Sequence, residues 1–489
     1  MFSPASLEWL SRRIGTFRTR QIKTVIDFFR SSALSFCPFS TSAGSLPRQE
    51  LPPKRLAVVY ANAFFEDINL WLPSVQRDTF NSHFEQHYSG ASLGPSWYAL
   101  FNVVMCLGYT AVKKMSVLTE NESNAAWAYL NNAMSVVPEL VFSSTDAMGV
   151  QALLIMAVTY NSNMSFRTSS MLLAMAARLA LAKGFHHDDE IGIGLPAKET
   201  DKEVPSLLRH LVQLALIQSR ICKWIYSPRY RTKPLEQRLR LMDELEGMLD
   251  AWKAELPPQF QPENTSLDGP IDPVLNLHMV YYYTVASLHR ASMGACLEPQ
   301  MEQAFQRASV DRGRRMEQSA QLCLSVSRAT MDLLSYAKGE LPKHYVTCWS
   351  VCFHVLVAAL LLFVHTVNHP RRPEARSNLA YLQCFAQIIH SSPFTELSPV
   401  GKGLGALADL LVDICSSSIV SNHDILTVHG VDGADPAGAF SPPTTTTATS
   451  QKSGLASLSL HSRLTNIIPT LCHRLRQRPR SLTYFPISA

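Results

Sequence analysis

Apolar side chains recur along this chain at the spacing of one face of an α-helix, and that regularity excludes most other architectures. Leu172, Met175, Ala176, Leu179 and Ala180 fall at i, i+3, i+4, i+7 and i+8, which puts them on one side of a helix with 3.6 residues per turn. Such a face has to be buried. Comparable runs cover Trp97–Val112, Gly149–Tyr160, Ser206–Tyr226, Leu235–Trp252, Asn276–Leu297, Met316–Tyr336, Val346–Val367 and Ala406–Cys415. Alternation with a period of two is rare. The expected fold is therefore all-α: a large irregular multi-helix domain with a flexible carboxy-terminal linker and tail.

Breaks in this pattern divide the chain. "STSAGSLPRQELPPK", Ser40 to Lys54, combines Ser, Gly and three prolines, which stop helices, so residues 1–50 read as an amino-terminal arm and linker and the core as starting near Leu56. Residues 51–429 form the helical domain. Within it, "ELPPQFQP" at Glu255–Pro262 ends the helix before it, because proline lacks an amide hydrogen and disfavours helical geometry in its predecessor. "GVDGADPAGAFSPPTTTTATSQKSG", Gly430 to Gly454, has no periodicity and few large apolar groups to offset its ordering entropy. Residues 430–459 therefore read as a low-complexity linker and 460–489 as a basic tail. That tail carries "HRLRQRPR", His473 to Arg480, which suits either a solvated charge run or nuclear import and phosphate contact.

Composition narrows the function classes. With 489 residues, 46% apolar and only 17% charged, the chain has the material for a sizeable core, since single cores stop growing at about 250–300 residues. A net charge of +5 is too mild to mark a nucleic-acid groove unless Lys and Arg gather on one surface. Ten cysteines at wide, irregular intervals do not form a secreted disulfide framework, and reduced thiols inside a cell are expected. "VCFHVLVAALLLFV", Val351 to Val364, falls short of the roughly 20 apolar residues of a membrane span and reads as a central core helix. No membrane partner is expected. The first 50 residues are rich in Arg and Ser, as transit peptides are, but Leu7, Leu10 and Ile14 with Glu8 describe an ordinary amphipathic helix.

"AARLALAKGFHHDDEIGIGLP", Ala176 to Pro196, raises the question of catalysis, because His186, His187, Asp188, Asp189 and Glu190 are all capable ligands. Their setting argues otherwise. Gly184 suits the left-handed position that ends a helix, Phe185 folds back on the last turn, and Lys183 complements the negative end of the helix dipole. The two histidines then sit in an exit loop, without the one-turn or knuckle spacing that zinc requires. Cys348 and Cys352 lie four residues apart with His354 nearby, a spacing that could ligate metal, but Trp349, Phe353 and Leu356 around them describe inert buried thiols. His278 and His289, eleven residues apart, share a helix face and read as packing histidines. G-x-S-x-G, H-E-x-x-H and G-x-x-x-x-G-K-[ST] do not occur, and "GIGLP" at Gly192–Pro196 lacks a following phosphate-binding helix start. No catalytic, cofactor-binding or metal residue is assigned, and no cofactor is expected.

Several stretches, in order, resemble the regulatory middle region of fungal zinc-cluster transcription factors of the xylanolytic-regulator-like branch. The likeness runs from about Phe2 to Val412. "SPASLEWLSRRIG" is similar to the segment that follows the DNA-binding module. "YANAFFEDINLWLPSVQRDTFNSHF", Tyr60 to Phe84, resembles a motif of an aromatic pair, an Asn, a Leu-Pro step and a Phe. "GVQALLIMAVTY" and "AMAARLALAKGFH" resemble the next two motifs, with Phe185 where the family has an aliphatic residue. "ELEGMLDAWKAELPPQF", "HMVYYYTVASLHRA" and His369-Pro370 continue the series.

Two departures qualify the resemblance. The six closely spaced cysteines of the family's DNA-binding module have no counterpart in these residues, since Cys37 alone precedes Cys106; no zinc-dependent DNA contact is carried over. The family also places a helix between its Gly-aliphatic-His helix end and the acidic loop that here follows at once. "FHHDDE" therefore reads as a junction near residue 187 that lacks one internal helix. The expected consequence is altered packing around Leu172–Leu181 and Leu207–Ile225, or else an incompletely defined gene product. The resemblance implies a nuclear, non-enzymatic transcription regulator, of a metabolic or secondary-metabolite pathway. Its implied partners are other transcription proteins, a small-molecule effector and a second chain in a homo- or heterodimer. DNA would be reached only indirectly or through the absent zinc cluster. The alternatives are a truncated paralogue acting by protein–protein interaction and a helical metal-dependent enzyme using His186, Asp188 and Glu190.

Overall fold

The computed structural model describes residues 4–35, 50–113, 124–143, 146–163, 165–183, 203–231, 233–262, 273–295, 310–336, 345–392, 395 and 399–428. No strand occurs among them. The architecture is a set of helices around three adjoining apolar cores.

The first core is built by α3 (Lys54–Ala63), α4 (Arg77–Tyr88), α5 (Gly94–Val112), α6 (Asn124–Ser135), α7 (Val137–Phe142), α8 (Ala147–Ser162) and α9 (Phe166–Ala182). α5 is its axis: Leu100, Phe101, Val103, Val104, Met105 and Leu107 are all buried, on more than one face, as expected of a helix without a polar side. α3 crosses α5 so closely that a Cβ on Gly108 would lie 1.9 Å from the Tyr60 carbonyl oxygen. Only small side chains fit that crossing, which is why Ala57 and Ala61 point inward. Leu56, where the sequence pattern starts the core, is exposed.

Directly after α3, Phe64–Ile68 form a π-helical turn that buries both Phe64 and Phe65. The wider turn lets two adjacent rings face the same core. Asn69 then fixes the exit: its amide donates to the Val75 carbonyl (3.0 Å), and its oxygen accepts from the Ser74 and Val75 amides (3.2 and 3.1 Å). This turn carries the Leu72-Pro73 step and delivers Phe80 edge-on to Phe65 at 5.5 Å between ring centres. The motif from Tyr60 to Phe84 is therefore a packing device.

The second core joins α1 (Pro4–Ile14) and α2 (Thr16–Ser35) to α12 (Pro273–Ala295), α13 (Val310–Tyr336), α14 (Tyr345–Asn368), α15 (Glu374–Ser391) and α16 (Pro399–Val428). The amino-terminal stretch contributes Trp9, Leu10, Ile22 and Val25 to this core, with Leu7 and Ile14 packed beside them and Glu8 in solvent. Arg18 donates to Ser417 Oγ (2.9 Å), holding α2 to α16. The third core joins α10 (Glu203–Ile225) and α11 (Leu235–Ala254) to the other faces of α12, α13 and α14.

α14 is the central rod. Val351, Val355 and Leu362 enter the second core, Val357 and Leu361 the third, and the helix also touches α8. The stretches Ser350–Asn368 and Gly401–Val420 are long and apolar enough to cross a membrane. In the first, 72% of the residues are buried among neighbouring helices, so its apolarity is accounted for by the packing that surrounds it.

Candidate interaction surface

Several polar side chains of this structure link one helix to another. Arg315 of α13 pairs with Asp243 and Glu246 of α11. Arg328 of α13 donates twice to Asn378 Oδ1 of α15 (3.0 and 2.9 Å), and Asn378 donates to Thr366 Oγ1 of α14 (3.3 Å). Asn132 of α6 donates to Asn102 Oδ1 of α5 (2.9 Å), and Asn102 donates to the Tyr98 carbonyl. Each group meets a partner that fixes a helix pair, which is how buried polar atoms avoid their desolvation cost.

None of these clusters sets a nucleophile beside a base. The thiols of Cys106, Cys323 and Cys415 are buried and pushed up to about 12 by that burial; they stay protonated and unreactive. Cys352 is buried in the wall of the second core. His354 lies against the Tyr283 ring at 5.3 Å, and burial lowers its pKa to about 4. His278 Nε2 bonds the Phe260 carbonyl (2.8 Å), and His289 Nδ1 meets Ser319 Oγ (3.2 Å). Burial holds His289 neutral, lowered to about 4 against the opposing attraction of Glu246. His186, His187, Asp188, Asp189 and Glu190 lie outside the described residues, as does the side chain of Cys348. Among the described residues no three His, Cys, Asp or Glu side chains converge as a metal site.

What distinguishes the surface is apolar. α9 packs chiefly on α8 and buries Leu172 and Ala176 there, with Met175, Leu179 and Ala180 at the edge of the same core. Its opposite side carries a second stripe: Phe166, Leu173 and Leu181 are 41%, 52% and 57% exposed, with Ser170, Ala174 and Ala177 exposed between them. These positions follow i, i+4, i+7, i+8, i+11 and i+15, the spacing of a single helix face. α10 behaves similarly. Leu207, Leu214, Ile217, Ile221 and Ile225 are buried against the third core, while Val212 and Leu216 face outward.

The sequence reading found the inner stripe of α9 and missed the outer one. The signal was present in the spacing of Phe166, Ser170, Leu173, Ala174, Ala177 and Leu181. A helix apolar on two sides offers two candidate core faces, and burial alone shows which is covered.

Residues 61–203, from the end of α3 through α9 to the first residue of α10, match the profile described as the fungal specific transcription factor domain. That stretch resembles a fungal specific transcription factor domain. Two proteins named ABC-transporter-regulating transcription factor, from Aspergillus oryzae (strain ATCC 42149 / RIB 40) and Aspergillus fumigatus (strain ATCC MYA-4609 / CBS 101355 / FGSC A1100 / Af293), are each similar to this chain. Identity is 25% over 440 residues, covering 78% of this chain and 49% of either relative. The chain thus spans about half the length of these curated relatives. The Fusaridione A cluster transcription factor fsdR of Fusarium heterosporum is 21% identical over 379 residues, covering 67% of this chain and 71% of the relative. No solved structure gives a significant match. The outward stripe of α9 lies within the matched stretch, and the second and third cores extend beyond it.

Proposed function

We propose that this chain regulates transcription from the nucleus, without an enzymatic activity of its own, and that its helical body works by contacting other proteins of the transcription apparatus. The observation that carries this reading is the alignment, across 78% of the chain, with relatives named as transcription factors. The structure is consistent with it: the described polar groups tie helices together, and the open apolar faces of α9 and α10 suit partner contact. The names of the relatives favour targets among transporters or a secondary-metabolite cluster. A small effector or partner acts on such a body by binding alternative helix packings unequally.

The helical regulatory body corresponds to residues 51–429, followed by a linker and a basic tail, and it functions with the junction near residue 187 as encoded. A fluorescent fusion of the full chain, followed with transcript profiling of a deletion strain, tests the reading. Nuclear signal and a defined set of altered transcripts support it. Exclusion from nuclei under every growth condition, with an unchanged transcript profile, overturns it.

A further inference from the structure

The outer stripe of α9 is the least expected feature of the surface. Its six positions from Phe166 to Leu181 span 15 residues, or about 22 Å at 1.5 Å per residue. Large side chains at Phe166, Leu173 and Leu181 are interspersed with the small Ser170, Ala174 and Ala177, so the face is an exposed apolar stripe with room between its large side chains. Arg167 and Arg178 are exposed on one flank of it, with Lys183 exposed just beyond the helix end. α9 itself contains no acidic residue. The one described carboxylate at the neighbouring start of α8, Asp146, is engaged in capping, accepting from the Gly149 amide at 2.9 Å.

An apolar stripe about four turns long, with Arg167 and Arg178 as the described charges along its flank, favours an occupant that is apolar on one face and acidic beside it. Two copies of this face packed antiparallel would bring arginine beside arginine, and like charges across an interface are costly. A helix with an apolar stripe and acidic flanks satisfies both features, in the helix-in-groove mode with anchors at i, i+3, i+4 and i+7.

We propose that the outward face of α9 is the docking site for an acidic amphipathic helix of a partner transcription protein. The proposal rests on the reading of the chain as a regulator and names the partner chemistry for it. Leu173 and Leu181 are the apolar anchors, Phe166 closes one end, and Arg167 and Arg178 set the orientation of the incoming helix by pairing with its carboxylates.

The test uses the full chain and a labelled synthetic peptide of about 18 residues, built with Leu and Phe on one helical face and Glu on its flanks. A scrambled peptide of the same composition is the control. Fluorescence anisotropy is expected to show saturable binding of the amphipathic peptide and at least tenfold weaker binding of the scrambled one. Leu173→Asp with Leu181→Asp should weaken binding about 30-fold or more, from the two anchors lost. Arg167→Glu with Arg178→Glu should weaken it and flatten its salt dependence. Circular dichroism checks that each variant keeps the wild-type helix content; both pairs alter exposed positions.

Absence of binding to the wild-type chain, or binding indifferent to both pairs of changes, overturns the proposal. So does a dimer, seen by sedimentation, that the Leu173→Asp/Leu181→Asp variant abolishes, because the face would then be covered by a second copy. Failure of the peptide assay leaves nuclear signal and transcript changes to judge the regulator reading separately. A chain that binds no peptide yet alters transcripts would sink the docking site alone.

Discussion

Replacing Gly108 by Ala asks whether the α3–α5 crossing is as tight as the structure places it. The added methyl would lie 1.9 Å from the Tyr60 carbonyl oxygen, 2.5 Å from its carbon and 2.9 Å from its Cα. Ordinary carbon–oxygen approaches are about 3.3–3.6 Å, so the helices would have to part by more than about 1 Å. The obstacle is backbone, which cannot rotate away. Overpacking of this kind costs about 1–3 kcal/mol, and this site belongs at the upper end. Alanine returns about 1 kcal/mol through its better helix propensity, leaving a net loss of about 2 kcal/mol. Gly247 in α11 is the internal control: it too sits inside a helix, but nothing lies within 4 Å of the position its Cβ would take. Gly247→Ala should stabilise by about 0.5–1 kcal/mol. The same substitution thus carries opposite signs at two sites. Urea unfolding followed by intrinsic fluorescence reads both midpoints, with an unchanged slope showing that the unfolded state is not the cause. A Gly108→Ala midpoint at or above that of the wild type would refute the reasoning.

Other outcomes follow from the same structure. Asn132→Ala removes the hydrogen bond to buried Asn102 and should cost about 1–3 kcal/mol, read as a lower urea midpoint; a loss under about 0.3 kcal/mol would contradict the pairing. Arg315→Ala leaves Asp243 and Glu246 facing each other without their cation; stability should drop by about 0.5–1 kcal/mol at low salt, and an effect that grows with salt would count against an electrostatic link. His289, His354 and His365 are lowered by burial from 6.5 to about 4. Their folded pKa lies below the unfolded one, so the unfolded chain gains protons first: stability is full above 6.5 and falls as pH drops toward 4. Unfolding midpoints across that window should decline with acid, and His354→Phe should make the decline shallower. Midpoints that rise on acidification would reverse the sign and exclude neutral burial.

Much of the fold is legible from spacing, and the exceptions have physical causes. The apolar period locates α5, α8, α10 to α14 and part of α16. α16 runs from Pro399 to Val428, well past Cys415, and just there Ser416, Ser417 and Ser418 each return a hydroxyl hydrogen bond to the carbonyl four residues earlier. Those serines satisfy themselves within the helix and leave no apolar signal to read. The inner face of α3 is disguised for a different reason: close approach to Gly108 demands Ala57 and Ala61, while the larger Leu56 and Val59 face outward. Trp9, Leu10 and Ile22 enter a core formed with residues more than 250 positions away, and no local pattern reports such a partner. The α9 face was half legible, its inner stripe by period and its outer stripe only through exposure.

On the proposed reading, this helical body regulates transcription by presenting α9 to a protein partner. The most direct measurement fuses the full chain to an unrelated DNA-binding module and reads a reporter, comparing wild type with Leu173→Asp/Leu181→Asp at matched protein levels. The account predicts that the wild-type fusion changes reporter output relative to the module alone and that the double variant returns it most of the way. A wild-type fusion no different from the bare module, or a double variant as effective as the wild type, would contradict it.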